Sequence, residues 1–550
     1  MKLSRIYALL TAAALSFSLI SCTDNNLERP RQSRYRDKDK EFEIGQSYAP
    51  SDDDITDDIE VSDELCDITA IEEEVQLLID DIAVHDNKGA VESDIQSLLY
   101  LYDRIYEAHT NMEIVFYRNY TDKAVEEEYN KFYRAVYVAG DMLSYGFSCG
   151  YSSEYKELFE DLVDDEKLEL YDEGYDLETA RLESEADFDD MSENLSRYYD
   201  IESNDDLSDD EKDLECAEIL IDILKDYDTE QFYSQYDRDY TGEDIIELSS
   251  YVKAELLPTL NDLIDTYISN SYWTDTYLEP KNIGDPFEII RDYAPRLSID
   301  ITDSAETICR EKLYTICSND DAYEGAFTDD LPTQNKARIF IGNIGHEYEL
   351  DAAIHEFGHF HAALHDDTPS YLYKNNLDIA EIQSQGFELL FTQFYDEIYG
   401  DSAEAKRFER IIDILDSVVS GFFVGEFEYD LVSRIDEIEP KEVVKLFNDT
   451  FAEYDTSYHL YEISHIFESP GYYISYATSA LAAFDLFDDV LNDPDRALEQ
   501  YEKIAKISCN SGEYTFKKAL SKCGFSDVLT KDYIYSLSDE LKEYSKCFAK

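Results

Sequence analysis

The scarcity of helix-breaking residues limits what this chain can fold into more than any other feature. Its 550 residues include only 11 prolines and 19 glycines, while 43% are hydrophobic and 14% aromatic. Apolar residues recur at three- and four-residue spacing over long stretches, as in Leu98, Tyr102 and Ile105, which is typical of amphipathic helices. We therefore predict a mainly α-helical protein with an ample core. The length exceeds what one core usually supports, so several lobes are expected.

The charge balance is strongly acidic. The sequence holds 46 lysines and arginines against 126 aspartates and glutamates, which gives a formal net charge of −80. A surface of this sign repels phosphate backbones, so nucleic acid is excluded as a partner. Most of the excess acid is expected to form a solvated surface. Calcium binding and a preference for basic substrates stay open as functional explanations.

The N-terminal segment has the layout of an export signal. Lys2 and Arg5 precede an apolar stretch over residues 6–20, which is too short for a comfortable membrane span. The sequence Leu19-Ile20-Ser21-Cys22 resembles the lipobox that bacterial lipoprotein signal peptidase cleaves. That resemblance implies that Cys22 is lipidated and becomes the mature N-terminus; an ordinary secretory signal is the alternative. We expect an extracytoplasmic protein anchored to the lipid bilayer of a bacterial cell membrane.

The segment after the predicted signal peptide (residues 1–22) differs from the rest of the chain. Residues 23–60 are rich in Arg, Asp, Ser and Gln and poor in apolar residues, which predicts a flexible polar tether between the bilayer and the folded body. No later segment offers about 20 uninterrupted apolar residues, so the sequence predicts no further membrane-spanning helix.

Eight cysteines remain after Cys22, and no two of them form a CxxC pair. A zinc cluster built from thiolates is therefore not expected. An extracytoplasmic location permits disulfides, and Cys309 with Cys317 or Cys509 with Cys523 are close enough in sequence to form them. Buried free thiols are an equally good interpretation.

The sequence His355-Glu356-Phe357-Gly358-His359 carries the clearest chemistry. Residues four apart lie on one face of a helix, so both imidazoles can reach a single ion. Zinc suits imidazole nitrogen and carboxylate oxygen, and a catalytic zinc site keeps one position for water. Glu356 is next to the first ligand, where it can take the proton of that water. Apolar neighbours such as Ile354 and Phe360 fit a buried helix better than a polar surface helix.

A third ligand must come from another element. A second helical pattern begins near Leu377 and contains Glu381 and Glu388, and the turn-like stretch before it allows this helix to fold back beside the first. Glu381 is the natural third ligand. Glu388 lies two turns further along the same face, where it can orient a ligand histidine by accepting a hydrogen bond. The pattern predicts one Zn²⁺ per chain, held by His355, His359 and Glu381.

The stretch from His355 to Glu388 resembles the thimet oligopeptidase and oligoendopeptidase F family of zinc peptidases. Members carry HExGH, then a glutamate some two dozen residues on, followed by a serine three and a glutamate seven residues later. Gly358, Glu381, Ser384 and Glu388 match this pattern. The resemblance implies a mainly α, zincin-like (gluzincin) catalytic core with a small β element, and helical lobes that flank a substrate channel.

Two further segments share this resemblance, which covers roughly residues 322–481. Residues 323–327 and the predicted strand 338–342 resemble the segment and strand before the motif in oligoendopeptidase F, where such a strand pairs with the substrate backbone. Residues 465–478 resemble the family's segment of histidine and tyrosine. The resemblance implies that His465 and Tyr476, and less directly Tyr473, donate hydrogen bonds to the oxyanion formed during hydrolysis.

The chain also departs from the family. His361 follows the motif by two residues, where members often have a histidine at three, and we interpret it as a packing or surface residue. His346 and His365 have no ligand spacing and are interpreted as non-ligands. Tyr323-Glu324 stands where oligoendopeptidase F has a more basic sequence, so substrate contacts are expected to differ.

The predicted organisation places a helical N-terminal lobe at residues 61–320 and a zinc peptidase catalytic region at residues 321–550. The family implies a metalloendopeptidase that cleaves short peptides, because a deep channel excludes folded proteins. Two alternatives stay open. One is an exopeptidase of the dipeptidyl carboxypeptidase type, and the other is a surface lipoprotein that binds peptides without cleaving them.

Overall fold

The computed structural model describes residues 46–48, 59–84, 87–160, 175–204, 206–225, 227–234, 236–270, 284–317, 319, 321–345, 348–454 and 458–546. Cys22 and most of the predicted tether lie outside the described residues. The helices of the described part are α1 Ile68–Ile82, α2 Lys88–Arg118, α3 Lys123–Tyr151, α4 Leu177–Glu202, α5 Asp209–Leu224, α6 Thr229–Ser234, α7 Gly242–Tyr251, α8 Leu257–Ser269, α9 Pro286–Tyr293, α10 Ile299–Glu311, α11 Glu349–Ala363, α12 Leu377–Phe391, α13 Tyr395–Ile398, α14 Ala403–Val432, α15 Pro440–Phe451, α16 His465–Glu468, α17 Ile474–Asn492, α18 Pro494–Ile504, α19 Phe516–Cys523 and α20 Lys531–Lys546. The strands are β1 Gln46–Tyr48, β2 Ile59–Val61, β3 Tyr314–Cys317, β4 Gly325–Leu331 and β5 Lys336–Gly342.

Some of the abundant aspartates cap the N-termini of helices. The side chains of Asp67, Asp122 and Asp176 each accept a hydrogen bond from a backbone N–H in the first turn of the helix that follows. Those N–H groups have no partner within the helix, and a carboxylate also interacts favourably with the positive end of the helix dipole. Aspartate is therefore structural at the start of α1, α3 and α4.

A small sheet interrupts the helices. β5 is its central strand, parallel to β3 and antiparallel to β4, with Phe340 facing Thr315 on one side and Phe327 on the other. The predicted strand 338–342 is confirmed, and it begins two residues earlier, at Lys336. Because both edges of β5 are hydrogen-bonded, the expectation that this strand pairs with substrate is wrong, and the edge strand β4 is the alternative. Helices α9 and α10 precede this sheet in the chain.

Helix α12 lies at the centre of the region predicted to be catalytic. All fifteen of its residues are buried, and it packs between α11 and α17. Two short strands, β1 and β2, pair within or next to the segment predicted as a tether. The boundary predicted between residues 320 and 321 stays a prediction.

The seven described cysteines, which include Cys309, Cys317, Cys509 and Cys523, are not joined to one another by disulfides. Neither of the disulfides left open by the sequence is therefore present. Within the described ranges, no helix combines the length and the apolar character needed to cross a membrane.

Candidate metal centre

Helix α11 presents both motif histidines on one face. Their rings lie 5.1 Å apart between centroids and at 73° to each other. The neighbouring Ile354, Phe357 and Phe360 are fully buried and fix the helix in the core. The packing of these apolar residues thus determines which way the imidazoles point.

Gly358 allows α12 to approach α11 at this level. A Cβ atom at Gly358 would lie 2.5 Å from the carbonyl oxygen of Gln383 and 2.6 Å from the Cα of Ser384. Only glycine permits this contact, because backbone atoms cannot move aside as a side chain can. The close approach brings Glu381 to the histidines, and its Oε2 lies 3.6 Å from Nε2 of His355 and 3.8 Å from Nε2 of His359.

The three predicted ligands fit a metal ion. One ligand atom from each of His355, His359 and Glu381 lies within 4.8 Å of the other two. Nε2 of His359 is buried without a hydrogen-bond partner, and burial together with the nearby His355 holds the pKa of His359 well below its usual range. A neutral, unpartnered imidazole nitrogen beside a buried carboxylate is what a zinc site requires.

Glu388 orients His355. Its Oε1 lies 2.7 Å from Nδ1 of His355, so the carboxylate accepts the Nδ1–H and leaves Nε2 facing Glu381. Burial alone would lower the pKa of His355, but the hydrogen bond with Glu388 and the surrounding carboxylates raise it to about 9. The carboxylates around His355 therefore favour a positive charge on or next to its ring.

Two buried cations hold Glu388 in place. Arg410 donates to Oε2 of Glu388 at 2.7 Å and also lies 3.1 Å from Asp351, which is one turn before His355 on α11. Lys406 pairs with the other oxygen of Asp351 at 2.5 Å. Helices α11, α12 and α14 are thus joined by one ionic network, which orients the metal ligands from behind.

Glu356 lies beside the predicted ligands without being one of them. The hydroxyl of Thr328, on β4, donates to its Oε2 at 2.7 Å. Burial raises the pKa of Glu356 to about 7, against the opposing effect of the His355 charge and the Thr328 hydrogen bond. A carboxyl group with a pKa near neutrality can both accept and return a proton. A small cavity of about 60 Å³, lined by Thr328 and His359 among others, adjoins this position.

Tyr472, which sequence reasoning did not single out, connects the predicted oxyanion residues to Glu381. Tyr472 donates a short hydrogen bond to Oε1 of Glu381. Its ring contacts those of Tyr476 and His465, at 4.9 and 5.3 Å between centroids. The hydroxyl of Tyr476 is 3.4 Å from Nε2 of His465. The ring of Tyr473 lies 5.6 Å from that of His465 and 5.6 Å from that of Tyr476.

The other histidines near the motif have separate roles. His361 is buried, and its Nδ1 hydrogen-bonds Ser304 at 2.8 Å, which agrees with its interpretation as a packing residue. His365 stacks edge-on against His361 and takes no part in the predicted ligand cluster. His346 lies outside the described residues.

Comparisons with known proteins identify the fold. No model of a known protein family matches the sequence, and no curated protein matches it. Among solved structures, an oligoendopeptidase F matches with a TM-score of 0.69 and 17% identity over 87% of this chain and 97% of its own. PZ peptidase A with an inhibitor matches with a TM-score of 0.69 and 15% identity over 88% and 97%. An oligoendopeptidase F from Bacillus anthracis matches with a TM-score of 0.63 and 15% identity over 88% and 96%. The predicted mainly α-helical, zincin-like fold is confirmed.

Proposed function

We propose that this protein is a zinc-dependent endopeptidase that cleaves short peptides outside the cytoplasm. One observation carries the proposal: His355, His359 and Glu381 converge on one point, with Glu356 beside them and Glu388 behind them. The fold shared with structures named as oligoendopeptidases and as a peptidase supports peptides as the substrate class.

The residues divide the chemistry among them. When bound, zinc would polarise the scissile carbonyl and increase the acidity of water. Glu356 takes the proton from the attacking water and returns it to the leaving amine, while Thr328 holds its carboxylate in position. His465 and Tyr476 donate hydrogen bonds to the oxyanion that develops on the carbonyl.

Strand β4 supplies a docking edge for an extended substrate. It is an edge strand of the sheet, and Thr328 on it contacts the proposed general base. A peptide that adds to this edge would place its backbone next to Glu356, with alternate side chains on either face. We therefore propose β4 as the substrate-binding strand in place of β5, because β5 is already hydrogen-bonded to β3 and β4.

The decisive experiment compares the wild type with Glu356→Gln. Both proteins are purified, their zinc content is measured, and each is incubated with a mixed library of short unstructured peptides. Glutamine keeps the size of the side chain but cannot accept the proton, so zinc and peptide should still bind while turnover falls by about 10²–10⁴-fold.

The cleavage products separate the remaining alternatives. Internal cleavage supports an endopeptidase, whereas stepwise loss of C-terminal dipeptides supports the exopeptidase. If the zinc-loaded wild type binds peptides but hydrolyses them no faster than Glu356→Gln, the peptidase proposal fails and a peptide-binding lipoprotein takes its place.

The membrane anchor is a separate part of the proposal and rests on the lipobox-like sequence ending at Cys22. More than one acyl chain is expected on this cysteine, because a single chain anchors only marginally. Cys22→Ala should release the protein from the membrane fraction. Mass spectrometry of the mature N-terminus that finds cleavage elsewhere and no lipid would exclude the anchor.

A further inference from the structure

A second cluster of metal-binding side chains lies on the other side of strand β4. His109 and Glu113 are four residues apart on α2 and face Asp329, which follows Thr328 on β4. One ligand atom from each lies within 4.8 Å of the other two, and all three residues are buried. The spacing of the histidine and the glutamate places both on one helix face, as in the motif on α11.

His109 has no hydrogen-bond partner for either ring nitrogen, although its side chain is only 2% exposed. Its neighbours are aromatic, with the rings of Tyr129 and Tyr133 each 5.4 Å away between centroids. A buried polar group without a partner destabilises the folded state, because it has given up its hydrogen bonds to water. Burial lowers the pKa of His109 to about 4, so the ring is neutral and one nitrogen offers a lone pair.

The two carboxyl groups need a compensating charge. Asp329 accepts hydrogen bonds from the hydroxyls of Tyr106 at 2.9 Å and Thr110 at 2.7 Å. Glu113 forms side-chain hydrogen bonds with both Asp329 and Tyr129, and burial followed by the Asp329 charge raises its pKa well above the usual range. In the described part of the chain, neither carboxyl group forms an ion pair with lysine or arginine. Either a shared proton or a cation must therefore sit between them.

We propose that His109, Glu113 and Asp329 form a second metal site, which binds a divalent transition-metal ion with Zn²⁺ as the first choice. One imidazole and two carboxylates are ligands that zinc accepts. An ion of charge +2 balances both carboxylates and gives His109 the partner that it lacks. Surrounding hydroxyls from Tyr106, Thr110 and Tyr129 then orient the ligands.

The position of this site assigns it a structural role. It joins α2, from the N-terminal helices, to β4, from the catalytic sheet. Asp329 adjoins Thr328, which holds Glu356, and both Asp329 and His359 line the same small cavity. A bound ion would fix the register of β4 beside the proposed general base. It would add a second ion to the single zinc that the sequence predicts.

The test counts metal ions and does not depend on peptidase activity. The full chain is equilibrated with Zn²⁺, desalted, and analysed for zinc and protein by mass spectrometry. Wild type should hold two ions per chain. Glu113→Gln and Asp329→Asn, which keep the side-chain size, should each hold one. Glu92→Gln removes an exposed carboxylate from the same helix and should still hold two.

His359→Ala distinguishes this site from the one in the proposed function. It should lose one ion and keep the ion at His109, while the double variant His359→Ala, Glu113→Gln should hold none. A Co²⁺-loaded His359→Ala protein should show a visible spectrum that Glu113→Gln removes. A single ion in the wild type that disappears in His359→Ala would overturn the second site and would mean that Glu113 and Asp329 share a proton. Two ions in a folded Glu113→Gln variant, as judged by circular dichroism, would overturn it as well.

Discussion

Nδ1 of His355 and Oε1 of Glu388 lie 2.7 Å apart, and the other oxygen of Glu388 accepts a hydrogen bond from Arg410 at the same distance. The carboxylate therefore connects a predicted zinc ligand to a buried cation on a third helix. This connection fixes the tautomer of His355, because only a protonated Nδ1 can donate to the carboxylate. Nε2 is left as the nitrogen that faces Glu381, 3.6 Å from its Oε2.

Glu388→Gln tests this connection. The amide is the same size but carries no charge, so it orients His355 less firmly and leaves Arg410 without a charged partner on this side. Zinc affinity should fall by about 10–100-fold, the usual effect of losing such a partner. Competition with a chromophoric chelator measures the affinity. Glu409→Gln, which removes a carboxylate at the outer end of the network beside Lys406, is the control, and an equal loss in both variants would contradict the role given to Glu388.

Substitutions at Tyr472 and Tyr476 should have different effects, the first on metal binding and the second on turnover. Tyr472→Phe removes the hydrogen bond to Glu381, so zinc affinity should decrease. Tyr476→Phe leaves Glu381 untouched and should lower kcat by about 10²–10³-fold at full zinc occupancy, if its hydroxyl supplies one oxyanion hydrogen bond. Zinc titrations and peptide hydrolysis on both variants provide the comparison. Normal kcat in zinc-loaded Tyr476→Phe would remove this residue from the oxyanion site.

Gly358→Ala should disrupt the contact between α11 and α12. The new methyl group would meet backbone atoms of Gln383 and Ser384 at 2.5–2.6 Å, so the helices must separate and carry Glu381 away from the histidines. We expect a loss of about 1–3 kcal/mol in stability, as for other overpacked positions, together with weaker zinc binding. Gly89→Ala is the matched control, because a Cβ there meets nothing within 4 Å. That change should be neutral or slightly stabilising. Equal melting temperatures and zinc affinities in the two variants would refute the close-contact argument.

The sequence predicted local features better than long-range ones. The helical pattern, the strand near Phe340 and the two candidate ligands His355 and His359 follow from residues close together in the chain. The central position of β5 depends on pairing with two other strands, so it cannot be predicted from the sequence of β5 itself. Tyr472 stands among several tyrosines, and only the fold shows which of them reaches Glu381.

Buried charge networks likewise cannot be predicted from residues that are close together in the sequence. Arg410 and Lys406 look like the exposed face of a helix in a chain with this composition, yet both are buried against Asp351. The cluster of His109, Glu113 and Asp329 joins residues more than 200 positions apart. Their spacing on α2 is visible in the sequence, but the third ligand is defined only by the packing of α2 on β4.

Glu428 gives a prediction about pH. Its Oε1 accepts the backbone N–H of Gly471 at 2.7 Å, while its Oε2 is buried without a partner. Burial raises the pKa of Glu428 to about 7, from an ordinary value of 4.5, although the Gly471 N–H and the charge of Arg238 oppose the change. Between these two pH values the folded state retains a proton that the unfolded state has released. The stabilising contribution is therefore complete below about pH 4.5 and is lost as the pH rises to about 7.

Glu428→Gln removes this dependence, because glutamine is neutral at every pH. The difference in unfolding free energy between variant and wild type should shift in favour of the variant as the pH rises, by up to about 3 kcal/mol between pH 4.5 and 7.5. Other titrating groups are common to both proteins and cancel in the difference. Melting temperatures at pH 4.5, 6 and 7.5 check the trend, with Glu437→Gln at an exposed position as control. A difference that stays constant across this range would show that Glu428 ionises at the same pH in the folded and the unfolded protein.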